Sequence, residues 1–412
     1  MPILVPIEEL QAGMCLHEPL VADGTFMLQS GRPLTAPEIE ALRRLYPGLS
    51  VRVSDPVLDG IIEFEDDSRQ REVAETAQRQ IADSMSQVRD RFAERASLSG
   101  ADFQAVQAAV REIMTFIRSS GPTAAVVTRC LDRRSYLCTH AGNVFYLSML
   151  LGSKVLDYVV AERRRQTQAR GLSELLATDL SPLGLGAMVM DIGMLPLEEL
   201  VQSDQPLTDE QRQAVRQHPL TGAAMLPESF PPAARMIVRT HHENFDGSGY
   251  PMRMRGDRLH VFTRIVRIAD AYDAATSDRV YRRAKSPARV LWEMSVGPFR
   301  RFYDPVLMQV FSRLIQPFPI GARLTLEDGR EAVVVRYGSS NPFLPRVVIT
   351  TDARGRMIPR EALEPPVDLD GQTRLRIRSF RGEDQSFIYE MPRAEEVKLP
   401  SDFVSAFDAA YP

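Results

Sequence analysis

Histidine and aspartate side chains spread through the middle of this 412-residue chain are the residues best suited to chemistry. Five of the six histidines lie between residues 121 and 316, and two of them are adjacent. Imidazole and carboxylate groups suit divalent metals of hard to intermediate character. Such groups could hold one or two ions, and a bridging aspartate with an activated hydroxide would serve in-line attack on a phosphate. The candidate metal ligands are His140, Asp191, His218, His241, His242 and Asp270.

The stretch from His241 to Pro251 concentrates these features. It follows an apolar, helix-like run at 236–238, and it continues as an acidic turn that contains Gly247 and Gly249. A simpler interpretation is a helix that is capped by Gly247 and carries surface histidines. That interpretation explains the glycine but not the two adjacent histidines.

The composition is that of a globular protein. The chain is 44% hydrophobic and 25% charged, and its length is typical of about two to four domains. A net charge of −4 gives no bulk electrostatic reason to bind a nucleic-acid polymer or a membrane. An anionic ligand would therefore have to be held by a local basic patch.

The number of cysteines and the hydropathy of the chain indicate its cellular compartment. The three cysteines form no CxxC pair, which argues against a disulfide framework and fits a reducing compartment. The amino terminus lacks the features of a signal peptide. No uninterrupted apolar run approaches the roughly 18 residues of a membrane span. We therefore expect a cytoplasmic protein without a membrane span.

The elements that must position the candidate ligands are mainly helical. The pattern predicts an α+β module over 1–60, a helical linker over 61–120, a helical domain over 121–316 and a β-rich domain over 317–412. The predicted class is therefore mainly α. In the first module, Thr35 and Glu38 predict the start of a helix. In the last, Asp328-Gly329 predicts a hairpin turn and 374–378 a strand.

Three helical stretches carry specific expectations. The helix over 65–97 has a narrow apolar seam, which suits either a homodimer contact or packing on its own domain. The charged stretch over 158–179 predicts a solvated helix plus loop. The nearly continuous apolar run over 183–197 predicts one buried helix that carries Asp191 into the core, where a charge needs a partner or a metal.

These residues resemble a known family. The run from His241 to Pro251 matches the HHExxDGxGYP signature of the HD-GYP domain at every position. The segment Asp270–Arg282 is similar to the family's DxxDAxTSxRxYR element, and His218-Pro219 with Gly222 resembles its HPxxG element. His140, before Asn143-Val144, stands where the family has its first histidine. The resemblance covers roughly residues 120 to 315.

The resemblance implies an all-helical fold, bound iron or manganese, and hydrolysis of cyclic di-GMP to pGpG or GMP. It implies that Asp191 is catalytic and bridges two metals, that His218, His241 and His242 complete one metal site, and that His140 and Asp270 serve the other. The loop over residues 243–251, called the GYP loop below, would also offer a surface for protein partners. The implied contacts of the dinucleotide are Asp246, Gly249, Tyr250, Pro251, Arg279 and Arg282.

The name-giving dyad departs from the family pattern. Where the family has His-Asp-x-Gly-Lys, this chain has Met190-Asp191-Ile192-Gly193-Met194. A thioether is a poor ligand for hard divalent ions, and Met194 removes a point charge that could bind phosphate. Three hypotheses therefore stay open: a cyclic di-GMP phosphodiesterase, a degenerate module that binds cyclic di-GMP or a protein without turnover, and a phosphohydrolase of another nucleotide.

Overall fold

The computed structural model describes residues 3–7, 10, 12–17, 19–22, 25–45, 50–54, 67–95, 97–119, 136–166, 173–201, 207–277, 284–338 and 341–391. These residues divide into two compact units. The first contains the described residues within 1–68, 287–289 and 316–391. The second contains those within 69–286 and 290–315. The predicted division into four domains stays a prediction.

The amino-terminal part of the first unit combines short strands with one helix. Thr35 begins this helix as predicted, because its N–H and its hydroxyl donate to the Glu38 carboxylate at 2.9 and 2.8 Å. The elements are β1 (Ile3–Pro6), β2 (Cys15–Leu16), β3 (Leu20–Ala22), β4 (Thr25–Leu28), α1 (Ala36–Leu45) and β5 (Ser50–Ser54). An antiparallel sheet has the order β1-β5-β2, and β3 pairs with β4.

The described residues between 67 and 315 form helices joined by loops, so the predicted mainly-α class is confirmed. The helices are α2 (Asp67–Arg95), α3 (Gly100–Ser119), α4 (Tyr136–Lys154), α5 (Leu156–Gln166), α6 (Glu174–Thr178), α7 (Ser181–Val189), α8 (Glu198–Val201), α9 (Asp209–Arg216), α10 (His218–Met225), α11 (Pro232–Thr240), α12 (Val261–Thr276), α13 (Pro287–Ser295) and α14 (Pro305–Leu314). Short 3₁₀ helices cover Ile192–Leu197, Gly256–Arg258 and Arg300–Phe302.

Helix α4 lies at the centre of the helical unit. It packs against α7 and α12, and α11 packs on α7. Every residue from 140 to 152 is buried, which is expected of a helix that is apolar nearly all round. The polar groups that α4 carries are therefore held inside the fold, opposite those of α12.

The prediction of one helix over 183–197 is wrong. Helix α7 ends at Val189, and the chain continues through a turn into the 3₁₀ helix Ile192–Leu197. Pro196 has no N–H to donate to the Ile192 carbonyl, so a regular α-helix is disfavoured over 192–197. Asp191 therefore lies in a turn between two helices.

The apolar seam of α2 packs inside the chain. Ile81, Met85 and Val88 are 0%, 1% and 3% exposed, respectively. The structure therefore favours the intrachain alternative for this seam, since the dimer hypothesis needs it exposed. A homodimer through another face of the 65–97 helix stays a prediction.

The charged stretch over 158–179 is not wholly solvated, which corrects its prediction. Arg163 is 8% exposed and donates to the carbonyl oxygens of Ala177 and Asp179 at 3.0 and 2.9 Å. Its guanidinium also lies 4.7 Å from the ring centre of Phe262. One arginine of the run thus ties α5 to α6 rather than facing water.

The carboxyl-terminal part of the first unit is a six-stranded antiparallel sheet of order β11-β10-β6-β7-β8-β9. Gly329 has φ +86° in the turn between β6 and β7, so the predicted hairpin is confirmed. The strand predicted over 374–378 lies later, at 377–380, where Ile377 donates its N–H to the Tyr389 hydroxyl. The strands are β6 (Arg323–Leu326), β7 (Glu331–Arg336), β8 (Arg346–Ile349), β9 (Val367–Asp368), β10 (Ile377–Phe380) and β11 (Glu383–Asp384). Two 3₁₀ helices cover Arg360–Ala362 and Ser386–Glu390.

One described segment, Leu175–Leu197, is long and apolar enough to cross a membrane by length and composition alone. Asp179 and Asp191 interrupt this segment, so it is not an uninterrupted apolar run. In addition, 67% of its apolar window is buried inside the fold, so the segment is weak evidence for a span. Helices α4 and α5 pass the same test only as a pair bent by 88°. The absence of a span and the cytoplasmic location stay predictions.

Candidate metal centre

Five elements of the helical unit bring the candidate ligands together. Helix α4 carries His140, and the turn after α7 carries Asp191. His218 is the first residue of α10, whereas His241 and His242 follow directly on α11. Asp270, the sixth candidate, lies on the buried face of α12. The six ligands thus come from five separate places in the chain, as in helical metal sites generally.

The Asp191 turn lies directly against α10 because two glycines meet there. A Cβ atom on Gly193 would lie 2.1 Å from the His218 carbonyl oxygen and 2.6 Å from the Gly222 nitrogen. Only glycine permits this approach. Asp191 itself has φ −97° and ψ 16°, in the bridge region of backbone space. The two glycines therefore allow the Asp191 carboxylate to reach His218.

Four of the six candidate ligands converge on one point. Asp191, His218, His241 and His242 each offer a ligand atom within 4.8 Å of the other three. Oδ1 of Asp191 lies 3.1 Å from Nε2 of His218 and 3.3 Å from Nε2 of His241. This is the four-group site that the sequence predicts to be intact. It consists of one carboxylate and three imidazoles, a donor set that suits a divalent transition metal.

The protonation of two of these histidines follows from their hydrogen bonds. Nδ1 of His218 lies 2.7 Å from the Val215 carbonyl, and Nδ1 of His241 lies 3.0 Å from the Val238 carbonyl. A carbonyl only accepts, so both Nδ1 atoms carry the hydrogen. The two Nε2 atoms then face each other at 3.1 Å with their lone pairs. A cation or a shared proton must lie between them, and this arrangement is that of metal-binding histidines.

Buried charges reinforce this arrangement. Burial alone would raise the pKa of Asp191, but hydrogen bonds and attraction from His218 and His241 outweigh it and hold this pKa well below its usual range. Burial opposes a charge on His218, yet Asp191 raises the pKa of this imidazole. Burial and the neighbouring His241 hold the pKa of His242 well below its usual range. His242 is therefore neutral and able to coordinate at neutral pH.

His140 and Asp270 form a second cluster beside the first. Nε2 of His140 lies 3.1 Å from Oδ1 of Asp270 and 3.7 Å from Oδ2 of Asp191. Its Nδ1 donates to Asp273 at 2.6 Å, and Asn143 donates to the other oxygen of Asp273 at 2.7 Å. Asp191 thus lies between the two clusters, as a bridging carboxylate would.

The second cluster balances its own charges. Burial would lower the pKa of His140, but Tyr136, Asp270 and Asp273 outweigh it and hold this pKa well above its usual range. Burial would raise the pKa of Asp270, but His140, His242 and Arg267 lower it. Met190, where the family has an imidazole, is 0% exposed. The described residues thus provide a fitting donor set at the first cluster and a poorer one at the second.

The GYP loop is shaped by Glu243 and Gly249. Glu243 is fully buried and accepts N–H groups from Met252 and Met254 at 2.5 and 3.0 Å. A Cβ on Gly249 would lie 2.3 Å from the Asn244 nitrogen and 2.5 Å from the His242 carbonyl oxygen. Gly249 is therefore required for the loop to fold back onto the histidine pair.

The predicted ligand contacts lie in different surroundings. Tyr250 is joined to Pro251 by a cis peptide bond, and its ring lies 4.8 Å from that of His242. Gly249, Tyr250 and Pro251 line a surface pocket beside the metal cluster. The Asp246 carboxylate instead accepts from the Ser248 N–H and hydroxyl at 2.9 and 2.6 Å, so it shapes the turn. Arg279 and Arg282 lie outside the described residues.

Sequence reasoning missed several polar residues around these clusters. Asp273 fixes the His140 ring, and its spacing of three from Asp270 on α12 was the available signal, because such residues share a helix face. Arg267 lies three residues before Asp270, and its Nη1 is 3.5 Å from Oδ2 of that carboxylate. Its Nε also donates to Asn244 of the GYP loop at 3.0 Å. No pattern in the sequence pointed to Arg216, whose guanidinium lies 4.9 Å from the Tyr250 ring centre.

Comparison with known proteins agrees with this geometry. A family model described as "HD domain" matches residues 160–307. A cyclic di-GMP phosphodiesterase from Pseudomonas aeruginosa is 30% identical over 185 residues, which are 44% of this chain and 44% of that protein. A second cyclic di-GMP phosphodiesterase, from Vibrio cholerae, is 31% identical over 175 residues, which are 38% of this chain and 35% of that protein.

The shared segment is thus a part of each protein, since it spans less than half the length of these relatives. A solved structure of an HDG"Y"P protein from Bdellovibrio bacteriovorus covers 76% of this chain and 98% of its own, at 14% identity and a TM-score of 0.43. At this TM-score, the structural likeness does not support any assignment. The helical part of this chain is therefore similar to HD domains over residues 160–307, and its loop from His241 to Pro251 carries every position of the HD-GYP signature.

Proposed function

We propose that this protein hydrolyses cyclic di-GMP to pGpG or GMP with a divalent metal held by Asp191, His218, His241 and His242. The observation that carries the proposal is the convergence of these four groups within 4.8 Å, beside a pocket lined by the GYP loop. The names of the Pseudomonas aeruginosa and Vibrio cholerae relatives support the choice of substrate.

Iron or manganese suits this donor set, because mixed imidazole and carboxylate ligands are intermediate in character. When bound, such an ion supplies Lewis-acid polarisation of the phosphate and activation of water. The chain holds the required ligand atoms in advance. The Val215 and Val238 carbonyls fix the rings of His218 and His241, so little order must be gained on binding.

We infer that one ion rather than two is bound tightly. A second ion would use His140, Asp270 and Asp191, but position 190 offers a thioether in place of an imidazole. His140 is already held by Asp270 and Asp273 through its two nitrogens. Metal content measured on protein grown with excess iron or manganese tests this inference: two tightly held ions per chain would refute it.

The alternative function is binding of cyclic di-GMP without turnover. It is favoured by Met190 and Met194, which replace an imidazole and an ammonium group next to Asp191. If turnover needs both lost groups, their absence raises the barrier by several kcal/mol, which corresponds to orders of magnitude in rate.

One experiment separates the two functions. Metal-loaded wild-type protein is incubated with cyclic di-GMP, and products are resolved by chromatography while binding is measured by calorimetry. Cleavage supports the phosphodiesterase. Binding without cleavage, together with a large gain of rate in the double variant Met190→His/Met194→Lys, supports the degenerate module. Adding Asp191→Asn to the double variant is the control, since it must abolish the gain if the same site is responsible.

The substrate is tested in the same assay. Another relative, from Vibrio cholerae, is named a 3′3′-cGAMP-specific phosphodiesterase and is 31% identical over 142 residues, which are 34% of this chain. Including 3′,3′-cGAMP therefore tests whether another cyclic dinucleotide is preferred. Protein partners at the GYP loop and a homodimer stay proposals that this assay leaves aside.

A further inference from the structure

The pocket beside the GYP loop has a second wall, which is made by the carboxyl-terminal turn of α9. The cavity has a volume of about 510 Å³, within the usual range of about 300–1,000 Å³ for small-molecule sites. Its lining residues are Gln213, Arg216, Gln217, Gly247, Ser248, Gly249, Tyr250, Pro251 and Arg253. Three of these come from α9 and the residue after it, outside every motif identified in the sequence.

Arg216 is held beside Tyr250 and is available to a ligand. Its guanidinium lies 4.9 Å from the Tyr250 ring centre, at cation–π distance. Within the described part of the chain, no carboxylate pairs with Arg216. By contrast, Arg212, one turn earlier on the same helix, forms an ion pair with Asp209 at 2.7 Å. With respect to the described residues, the five donors of Arg216 are therefore available to a ligand, in a planar fork that lies against the tyrosine ring.

The chemistry of this wall indicates a base rather than a phosphate. Gln213 and Gln217 each present amide donors and an amide acceptor, whereas phosphate oxygens only accept. A guanine edge offers both kinds of group, and the O6 and N7 acceptors of guanine suit an arginine fork. Aromatic rings such as that of Tyr250 provide stacking surfaces for bases.

We propose that Arg216, with Gln213 and Gln217, reads a guanine base and makes this protein select guanine over adenine. The inference rests on the proposed function, because it concerns the same cyclic dinucleotide in the same pocket. Arg216 is then a specificity-determining residue whose fork contacts the base edge, while Asp191 and the histidines serve the phosphodiester. Adenine presents an amino donor where guanine presents O6, so an arginine fork rejects it.

The test compares three cyclic dinucleotides on four full-length proteins. Binding of cyclic di-GMP, the mixed guanine–adenine dinucleotide and cyclic di-AMP is measured by calorimetry with manganese present, and cleavage is followed in parallel. The proteins are the wild type, Arg216→Lys, Arg216→Ala and the matched control Arg212→Ala. Arg212 carries the same charge on the same helix and does not line the pocket. Circular dichroism confirms folding of each variant.

We expect the wild type to prefer cyclic di-GMP over cyclic di-AMP by about 10- to 100-fold, the range for a good bidentate base contact. Arg216→Ala removes every donor to the base edge, so its preference should fall to within about threefold. Arg216→Lys keeps a donor for O6 and N7 but loses the planar fork, so its preference should fall by a smaller factor. Arg212→Ala should keep the wild-type preference.

A retained preference in both Arg216 variants overturns the guanine site and leaves the proposed function standing. An equal loss of affinity for all three dinucleotides in Arg216→Ala, which leaves the wild-type preference unchanged, assigns a phosphate contact instead and also overturns it. If the wild type neither binds nor cleaves any of the three, the proposed function fails, and this inference fails with it.

Discussion

The two clusters that meet at Asp191 solve the problem of buried charge in opposite ways. In the first, backbone carbonyls fix His218 and His241 so that their Nε2 lone pairs point at each other, 3.1 Å apart. In the second, both nitrogens of His140 are taken by carboxylates, those of Asp273 and Asp270. The first cluster therefore needs a metal cation or a shared proton between these two nitrogens, whereas in the second the carboxylates already satisfy the imidazole.

This difference shows what substitution at one position can do in a shared site. Met190 is completely buried. Because its side chain is apolar, it needs no hydrogen-bond partner where the family has an imidazole. Methionine is adaptable enough to fill such a space without disturbing the helices around it. The second cluster can then persist as a structural ion pair while the first keeps its metal-binding geometry.

The largest expected effect comes from removing one ligand of the first cluster. His241→Gln replaces a fully buried imidazole whose Nε2 lies 3.3 Å from Asp191. Metal affinity should fall by more than about 100-fold, since changes in mere supporting partners already cost 10- to 100-fold. Activity, where present, should be lost with the metal. Metal content after dialysis measures the effect, and His17→Gln, at an exposed histidine, is the control. Unchanged metal content would remove the basis for the first cluster as the metal site.

The second cluster should respond in stability rather than in metal content. Asp273→Asn keeps the shape of a side chain that is 1% exposed but removes the charge opposite His140. Breaking one partner of a buried pair costs about 3–5 kcal/mol. Urea unfolding measures this loss, while metal content should stay as in the wild type. As the control, Asp209→Asn removes an exposed pair and should change stability by less than about 1 kcal/mol.

A loss of metal in Asp273→Asn that is as large as in His241→Gln would break the distinction between the clusters. It would show that His140 is a ligand of a tightly held ion and that Asp273 acts as its supporting carboxylate. Measuring both variants in the same metal buffer makes the comparison direct.

A third variant tests how the GYP loop supports the first cluster. In Gly249→Ala, the added Cβ would meet the backbone of His242 and Asn244 at 2.5 and 2.3 Å. Overpacking of this kind costs about 1–3 kcal/mol, and the shift of the histidine pair should weaken metal binding about 10-fold. The matched variant is Gly256→Ala, where φ is +55° but a Cβ meets nothing within 4 Å. It should lose about 1 kcal/mol of stability and no metal affinity.

Sequence motifs pointed to the four side chains that converge in the structure, and for His241 and His242 the motif includes its own geometry. Adjacent histidines at the end of α11 must follow one another into the same site, and the glycines that allow this are part of the signature. The helix start at Thr35 and the turn at Gly329 were predictable for a similar reason, since both depend on residues three or fewer positions apart.

Features that depend on distant contacts could not be predicted in this way. The break of the apolar run at Val189 depends on Pro196 and on the close approach of Gly193 to α10. The burial of Arg163 depends on carbonyl groups that lie 14 and 16 residues further on. The role of Asp273 depends on α4 packing against α12, which no local pattern encodes.

The smallest expected effect concerns His260, a histidine that belongs to neither cluster but caps the helix carrying Asp270 and Asp273. Its Nδ1 accepts the N–H of Phe262 at 3.2 Å, so the ring must be neutral at that nitrogen. Burial, together with the charges of Arg163 and Arg264, lowers the pKa of His260 to about 4. A pKa below the usual 6.5 means that the unfolded chain binds the proton first. Stability is therefore full above pH 6.5 and is lost as the pH falls towards 4.

The expected loss is about 1–2 kcal/mol by pH 5. Urea unfolding of the wild type and of His260→Asn between pH 7 and pH 4 isolates it, because asparagine can cap a helix but does not titrate in this range. The difference between the two curves should be flat above pH 6.5 and should grow in favour of the variant below it. A difference independent of pH would show that the cap does not titrate in this range and would contradict the lowered pKa of His260.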